Sequence, residues 1–127
     1  MSHSFSEHPD SAMLEVVLVG AISLDEAHQV RLRAAELCRE RCYTRLLVDT
    51  RGTTGVGGGS TLDLFDLGSS EMEQIGLPRE TRIALVLPAS QSASMDWGFL
   101  ATVEQNRGWL VQPFANVLDA REWLGLG

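Results

Sequence analysis

Between residues 49 and 62 the chain reads Asp-Thr-Arg-Gly-Thr-Thr-Gly-Val-Gly-Gly-Gly-Ser-Thr-Leu. Glycines at 52, 55, 57, 58 and 59 let successive backbone N–H groups converge. Set beside a helix N-terminus, such groups make an anion-binding concavity. The spacing contains no GxxxxGK[ST], and Gly55-Val-Gly57-Gly-Gly59-Ser60 departs from GxGxxG at its last position. Around the hydroxyls, Gly58-Gly-Ser60-Thr-Leu62 lacks the second glycine that a GxSxG nucleophile elbow needs. The stretch reads as a surface loop in which Ser60 and Thr61 cap a helix, with phosphate or nucleotide binding as the alternative.

Other reactive side chains are scattered. Asp49 and Asp96 fall near the C-terminal ends of predicted strands, where a shared cleft would permit acid–base chemistry. His3 and His8 sit near the terminus and His28 falls beside the apolar stripe of a helix, so none has the setting of a general base. No catalytic residue, metal ligand set or cofactor is expected. All ten formal cations are arginines. The absence of lysine excludes Schiff-base chemistry, lysine-held pyridoxal phosphate and an ordinary Walker A loop. Cys38 and Cys42 fit no CxxC or four-ligand zinc spacing, and read as reduced thiols with at least one in the core.

The formal net charge is −7, which repels nucleic-acid phosphates and anionic lipid unless a basic patch overrides it. The only candidate is Arg31, Arg33, Arg39, Arg41 and Arg45. On a helix the first four of these diverge, and Glu36 and Glu40 lie between them, so no nucleic-acid partner is expected. Trp97, beside a polar loop over 89–94, is either a core residue or an exposed anchor for a partner or a homodimer contact.

Local patterns show how these residues must be positioned. Residues 13–20 form an apolar strand, and Pro9-Asp10-Ser11 turns it back on a short strand over 4–8 to make an antiparallel hairpin at a sheet edge. Ser23-Leu-Asp-Glu26 is a capping box. It opens a helix whose Ala27, Val30, Ala34, Leu37 and Cys38 share a face and which ends near Cys42. A strand over 45–49 precedes the glycine stretch. A helix from Ser60 or Thr61 breaks at Gly68, and Ser70-Glu-Met-Glu73 caps a second short helix. Then follow a strand over 82–87, a helix over 94–107 with Gly108 just past its end, a strand over 109–114 whose Pro113 implies an edge position or an early stop, and a helix capped by Asn116. Alternating strands and helices imply right-handed crossovers and a mainly parallel sheet with helices on both faces.

The 127 residues suit one domain, with residues 1–12 a flexible or edge-strand segment. No apolar run reaches membrane-spanning length, and the N-terminus lacks a secretory pattern, so the expected location is the cytoplasm.

The order of these elements, with Val-Val-Leu-Val-Gly-Ala-Ile-Ser (16–23), Leu-Leu-Val-Asp-Thr-Arg-Gly (46–52), Arg-Ile-Ala-Leu-Val (82–86), Asn-Arg-Gly (106–108), and Phe114 followed by Ala120-Arg-Glu-Trp-Leu124, resembles the SpoIIAA-like family, relatives of the STAS domain of anti-sigma factor antagonists. The resemblance implies a βα superhelix with a five-stranded mixed sheet, and a bacterial, non-enzymatic regulatory domain that binds a protein partner. STAS antagonists are phosphorylated in an Asp-Ser-Ser/Thr-Gly motif. The corresponding hydroxyls here are Ser60 and Thr61, but Gly59 and Leu62 replace the motif's Asp and Gly. The expected partner surface is the loop 49–61, with Asp49, Thr50, Arg51, Gly52, Ser60 and Thr61, together with Trp97. A more distant likeness to lipid-binding SEC14 domains implies a small apolar ligand as the other reading.

Overall fold

The computed structural model describes residues 3–57 and 61–126, with Thr61 described by its backbone alone. Strand β1 (His3–His8) turns through one 3-10 turn (Pro9–Ser11) into β2 (Met13–Ser23). Proline fits the first position of that turn because it gives up no needed donor. Ala12 completes it in the left-handed region (φ 50°), with its N–H on the Pro9 carbonyl. The expected hairpin is therefore present.

Ser23 caps α1 (Leu24–Arg41) by accepting from the Glu26 N–H at 3.0 Å. The Glu26 carboxylate lies 3.0 Å from His3 Nδ1, so it ties β1 to α1. Strand β3 (Arg45–Gly57) leads to α2 (Thr61–Asp66), a wider π-type turn (Leu67–Glu71) and α3 (Met72–Gln74). Then come β4 (Arg82–Val86), α4 (Gln91–Asn106), β5 (Leu110–Phe114) and α5 (Val117–Trp123). The strands lie side by side in chain order, β1 antiparallel to β2 and the other neighbours parallel.

Period-two alternation divides the strand side chains between two layers. Leu14, Val16, Leu18, Leu46, Ile83, Leu85 and Val111 pack with α1, the 61–74 helical segment and α4. On the reverse face Met13, Leu47, Ala84 and Val86 meet Ala120 and Leu124 at α5. Each large apolar side chain removed from water in this way contributes about 1.5–3 kcal/mol. The α/β architecture with a five-stranded mixed sheet is thus the one expected.

Three boundaries differ from the sequence reading. First, β3 does not stop at 49. Its glycine stretch through Gly57 continues as strand against β2, with Gly52 opposite Val19, Thr53 opposite Gly20, Val56 opposite Ile22 and Gly57 opposite Ser23. Two register shifts, between Val17 and Val19 and between Gly20 and Ile22, give β3 one extra residue at each place. Gly55 (φ 113°) supplies backbone geometry that the second bulge requires. Second, Gly68 does not break the helix. A Cβ there would stand 3.1 Å from the Cβ of Val103, so the glycine allows the 61–74 segment to approach α4 closely. Third, α4 begins at Gln91, capped by the Ser90 backbone, so most of the expected polar loop over 89–94 is helix.

Candidate functional site

The distal half of β3 collects most of the residues singled out from the sequence, and the structure assigns them to opposite faces of the sheet. Thr50 is fully buried, and its Oγ1 donates to the Val86 carbonyl at 2.6 Å. Thr53 is buried too, donating through Oγ1 to the Thr50 carbonyl at 2.8 Å and accepting from Trp97 Nε1 at 2.9 Å. Trp97 lies on the inward stripe of α4 with Ala93, Leu100 and Ala101. It is a core residue, and the alternative of an exposed anchor is corrected by its burial and by this bond. Next to it, Asp96 Oδ2 accepts from the Val56 N–H at 3.0 Å. A Cβ on Gly55 would stand 2.7 Å from that same oxygen.

Asp49 and Arg51 form a separate unit. Arg51 donates through Nε to Asp49 Oδ1 at 3.0 Å and through its terminal nitrogen to Oδ2 at 2.8 Å, and the Arg51 backbone N–H adds a third bond at 3.0 Å. The guanidinium bonds hold the Asp49 carboxyl below the ordinary aspartate range, overcoming burial, which acts the other way. Asp49 is buried while Arg51 is exposed. Arg51 borders an open cleft of about 550 Å³ with Leu87, Pro88, Pro113 and Phe114. The two aspartates do not share a cleft: Asp49 is paired with Arg51, and Asp96 holds a strand N–H.

The picture of a free loop over 49–61 is therefore corrected. Residues 49–57 are strand, with Thr50, Thr53 and Val56 inside the fold. Gly52 packs its backbone near Val19. Gly52, Thr53, Val56 and Gly57 are paired with β2, and the Val56 N–H is bonded to Asp96, so the stretch is extended rather than curled into an anion cradle. The hydroxyl of Ser60 lies outside the described residues, and so does the side chain of Thr61, which opens α2.

Immediately after this stretch, the apolar residues of α2 and the turn that follows it divide between core and solvent. Leu64 and Leu67 are buried, whereas Leu62 is 68% and Phe65 40% exposed. Met95, at the start of the neighbouring α4, is 65% exposed.

A buried ion pair also escaped the sequence reading. Glu104 is only 4% exposed and pairs with Arg31 of α1, which further donates to the Leu67 carbonyl at 2.8 Å. Burial pushes the Glu104 carboxyl upward and Arg31 opposes the shift. Both residues border an interior cavity of about 70 Å³ lined chiefly by apolar side chains. The signal was available: Glu104 is seven residues beyond Trp97, on the stripe that faces the core.

The arginines make no basic patch. Arg33 pairs with Glu36, Arg41 with Glu7, Arg39 bonds the carbonyls of Ile75 and Gly76, and Arg45 bonds those of Ser11 and Leu124. Cys38 is buried and Cys42 exposed, as two separate thiols. His28 lies 3.2 Å from Glu71. Among the described residues no cluster of three or more His, Cys, Asp or Glu side chains is placed to hold a metal ion, and no helix is long and apolar enough to cross a membrane.

This architecture is the SpoIIAA-like fold. The chain superposes on the anti-sigma factor antagonist SpoIIAA in its unphosphorylated form with a TM-score of 0.56 and 11% identity, covering 99% of both chains. An uncharacterised DUF3478-family protein with a SpoIIAA-like fold from Shewanella loihica PV-4 superposes with a TM-score of 0.54 and 17% identity, over 97% of this chain and 92% of that one. No family model and no curated protein sequence matches the chain.

Proposed function

We propose that this protein is a non-catalytic regulatory domain that binds a protein partner through the surface carried by α2. The observation that supports this most directly is the exposure of Leu62 and Phe65 on a helix anchored in the core by Leu64 and by Leu67 just past its end. Large apolar groups held in water on a rigid element are the usual anchors of a protein interface. The strand leading to them is fixed by the Trp97–Thr53 and Asp96–Val56 bonds, which favours a preformed surface. The full-length likeness to an anti-sigma factor antagonist fits the same reading. The scattered, individually paired acids and histidines give no support to an enzyme.

Ser60 and Thr61 adjoin Leu62 in sequence. A phosphate on either would bring about −1.5 to −2 charges to the apolar surface and so weaken partner binding. The domain would accordingly be switched by phosphorylation there, in the cytoplasm.

The test is co-purification from cells of the source organism with the wild-type chain, Leu62→Glu and Leu118→Glu. Leu118 on α5 is as exposed as Met95 and serves as the control. A discrete partner retained by the wild type and Leu118→Glu but lost from Leu62→Glu is the expected result. Equal retention by all three chains overturns the reading. Phosphopeptide mapping that finds residues 60 and 61 unmodified while a partner is bound and released would remove the switch.

A further inference from the structure

The two edges of the sheet are built differently. On β5, the Phe114 carbonyl accepts from the Leu87 N–H at 2.9 Å and so faces β4. Alternation then turns the backbone groups of Val111 and Pro113 outward. Neither offers a usable edge: Val111 O is taken by the Gln105 side chain at 2.8 Å, and Pro113 has no N–H. Natural sheets block an edge by such means.

On the opposite edge, the Ala12 carbonyl accepts from Arg45 N at 3.1 Å and so faces β3. Met13, Glu15 and Val17 therefore direct their backbone groups to β1, where they meet His8, Ser6 and Ser4. That leaves the backbone groups of His3, Phe5 and Glu7 pointing away from the sheet. No proline or bulge interrupts β1. Among the described residues, none of these outward backbone groups has a hydrogen-bond partner.

We infer that two copies of this chain pair antiparallel through β1, with Phe5 opposite Phe5 and His3 opposite Glu7 of the second copy. This register makes every outward residue part of a hydrogen-bonded pair, because 3, 5 and 7 alternate about a dyad at 5. It also sets a ring nitrogen opposite a carboxylate oxygen. His3 uses Nδ1 on Glu26, and Glu7 uses Oε1 to accept from Tyr43 and Arg41. Nε2 of His3 and Oε2 of Glu7, which have no partner among the described residues, are then the atoms that meet across the join. A hydrogen bond between side chains directly across a strand pair stabilises it. The result is a continuous ten-stranded sheet, closed by two-fold symmetry because the far edges are blocked.

Three residues a side make a small contact, at the low end of specific interfaces, so association is weak and concentration-dependent. Sedimentation velocity of the whole chain from about 10 µM to about 1 mM should show a reversible monomer–dimer equilibrium. Phe5→Pro removes the outward N–H at the dyad and leaves the β2 ladder intact; it should be monomeric throughout, with the far-ultraviolet circular dichroism of the wild type. Phe5→Leu keeps that N–H and should dimerise. In a Cys42→Ser background, Phe5→Cys should give a disulfide-linked dimer under mild oxidation, because hydrogen-bonded antiparallel residues lie about 5.5 Å apart at Cα. Ser6→Cys, whose backbone faces inward, should cross-link at most a tenth as fast. A monomer at every concentration, a dimer that survives in Phe5→Pro, or equal cross-linking at 5 and 6 each overturns the assignment. The cross-linking arm decides the matter if Phe5→Pro loses its fold.

Discussion

Glu104→Ala should be among the most damaging substitutions outside the apolar core, although it removes a charged residue from a protein that already carries an excess of negative charge. Glu104 is 4% exposed and the Arg31 side chain 19% exposed, so Arg31 would be left with its charge inside the protein. Breaking a buried pair from one side costs about 3–5 kcal/mol. Arg31 keeps its 2.8 Å bond to the Leu67 carbonyl and retains some access to water, which places the expected loss near about 3 kcal/mol. At about 2.1 cal/mol/K of unfolding entropy per residue, a chain of this length loses roughly 10 °C in Tm. Replacing both partners, Arg31→Met with Glu104→Leu, removes the orphaned charge, and the interior cavity beside them tolerates the change of shape. The double variant should lie within about 1 kcal/mol of wild type. Urea denaturation of the wild type, Arg31→Met, Glu104→Leu and the double variant measures the coupling, with Glu104→Ala beside them. A loss below about 1 kcal/mol for Glu104→Ala, or a double variant as unstable as the sum of its singles, refutes the argument that the pair is held by mutual need.

Three other outcomes follow from the geometry. Gly55→Ala should lower stability by at least about 1 kcal/mol, since φ 113° disfavours a side chain and the new Cβ would meet Asp96 Oδ2; thermal melts that match the wild type would contradict this. The Asp49 carboxyl is held below its ordinary value, so its pairing with Arg51 stabilises the fold above the unfolded-state pKa, and that stability is lost as pH falls through the lowered folded value. Asp49→Asn should consequently flatten the acid limb of a stability-against-pH curve, and an unchanged limb counts against the pairing. Burial pushes the Cys38 thiol up to about 11, so at pH 8 a disulfide reagent should modify Cys42 quickly and Cys38 only on unfolding; two equally fast thiols would contradict the structure.

Much of the layering was legible because it is written in local periodicity. The Ser23 and Asn116 caps, the hairpin turn and the edge-marking Pro113 all act within a few residues of themselves, and each has the role its chemistry predicts. The glycine stretch was misread because glycine signals conformational freedom without saying what will use it. At Gly55 the freedom serves a bulge in a strand, and at Gly68 a close helix contact, and in both cases the deciding neighbour, Asp96 or Val103, lies at least 35 residues away in sequence. The candidate surface was legible in part. The stretch ending at Ser60 and Thr61 leads to the exposed face of α2, but Thr50 and Trp97, chosen for their chemistry, are consumed by interior bonds. The exposure of Leu62 and Phe65 was not legible, because an apolar stripe on a short helix does not reveal how much of it the sheet will cover.

The two surplus residues of β3 decide where its length can change. Each bulge sets two intervening residues of β3 against one of β2, so loss of the surplus residue restores regular pairing and leaves Thr53 and Val56 opposite the same residues of β2, still facing α4. A residue lost from the regular stretch 45–49 has no such slack and would exchange inside for outside up to the first bulge. Relatives that keep this interior should therefore vary in length by single residues at the two bulges and not before them.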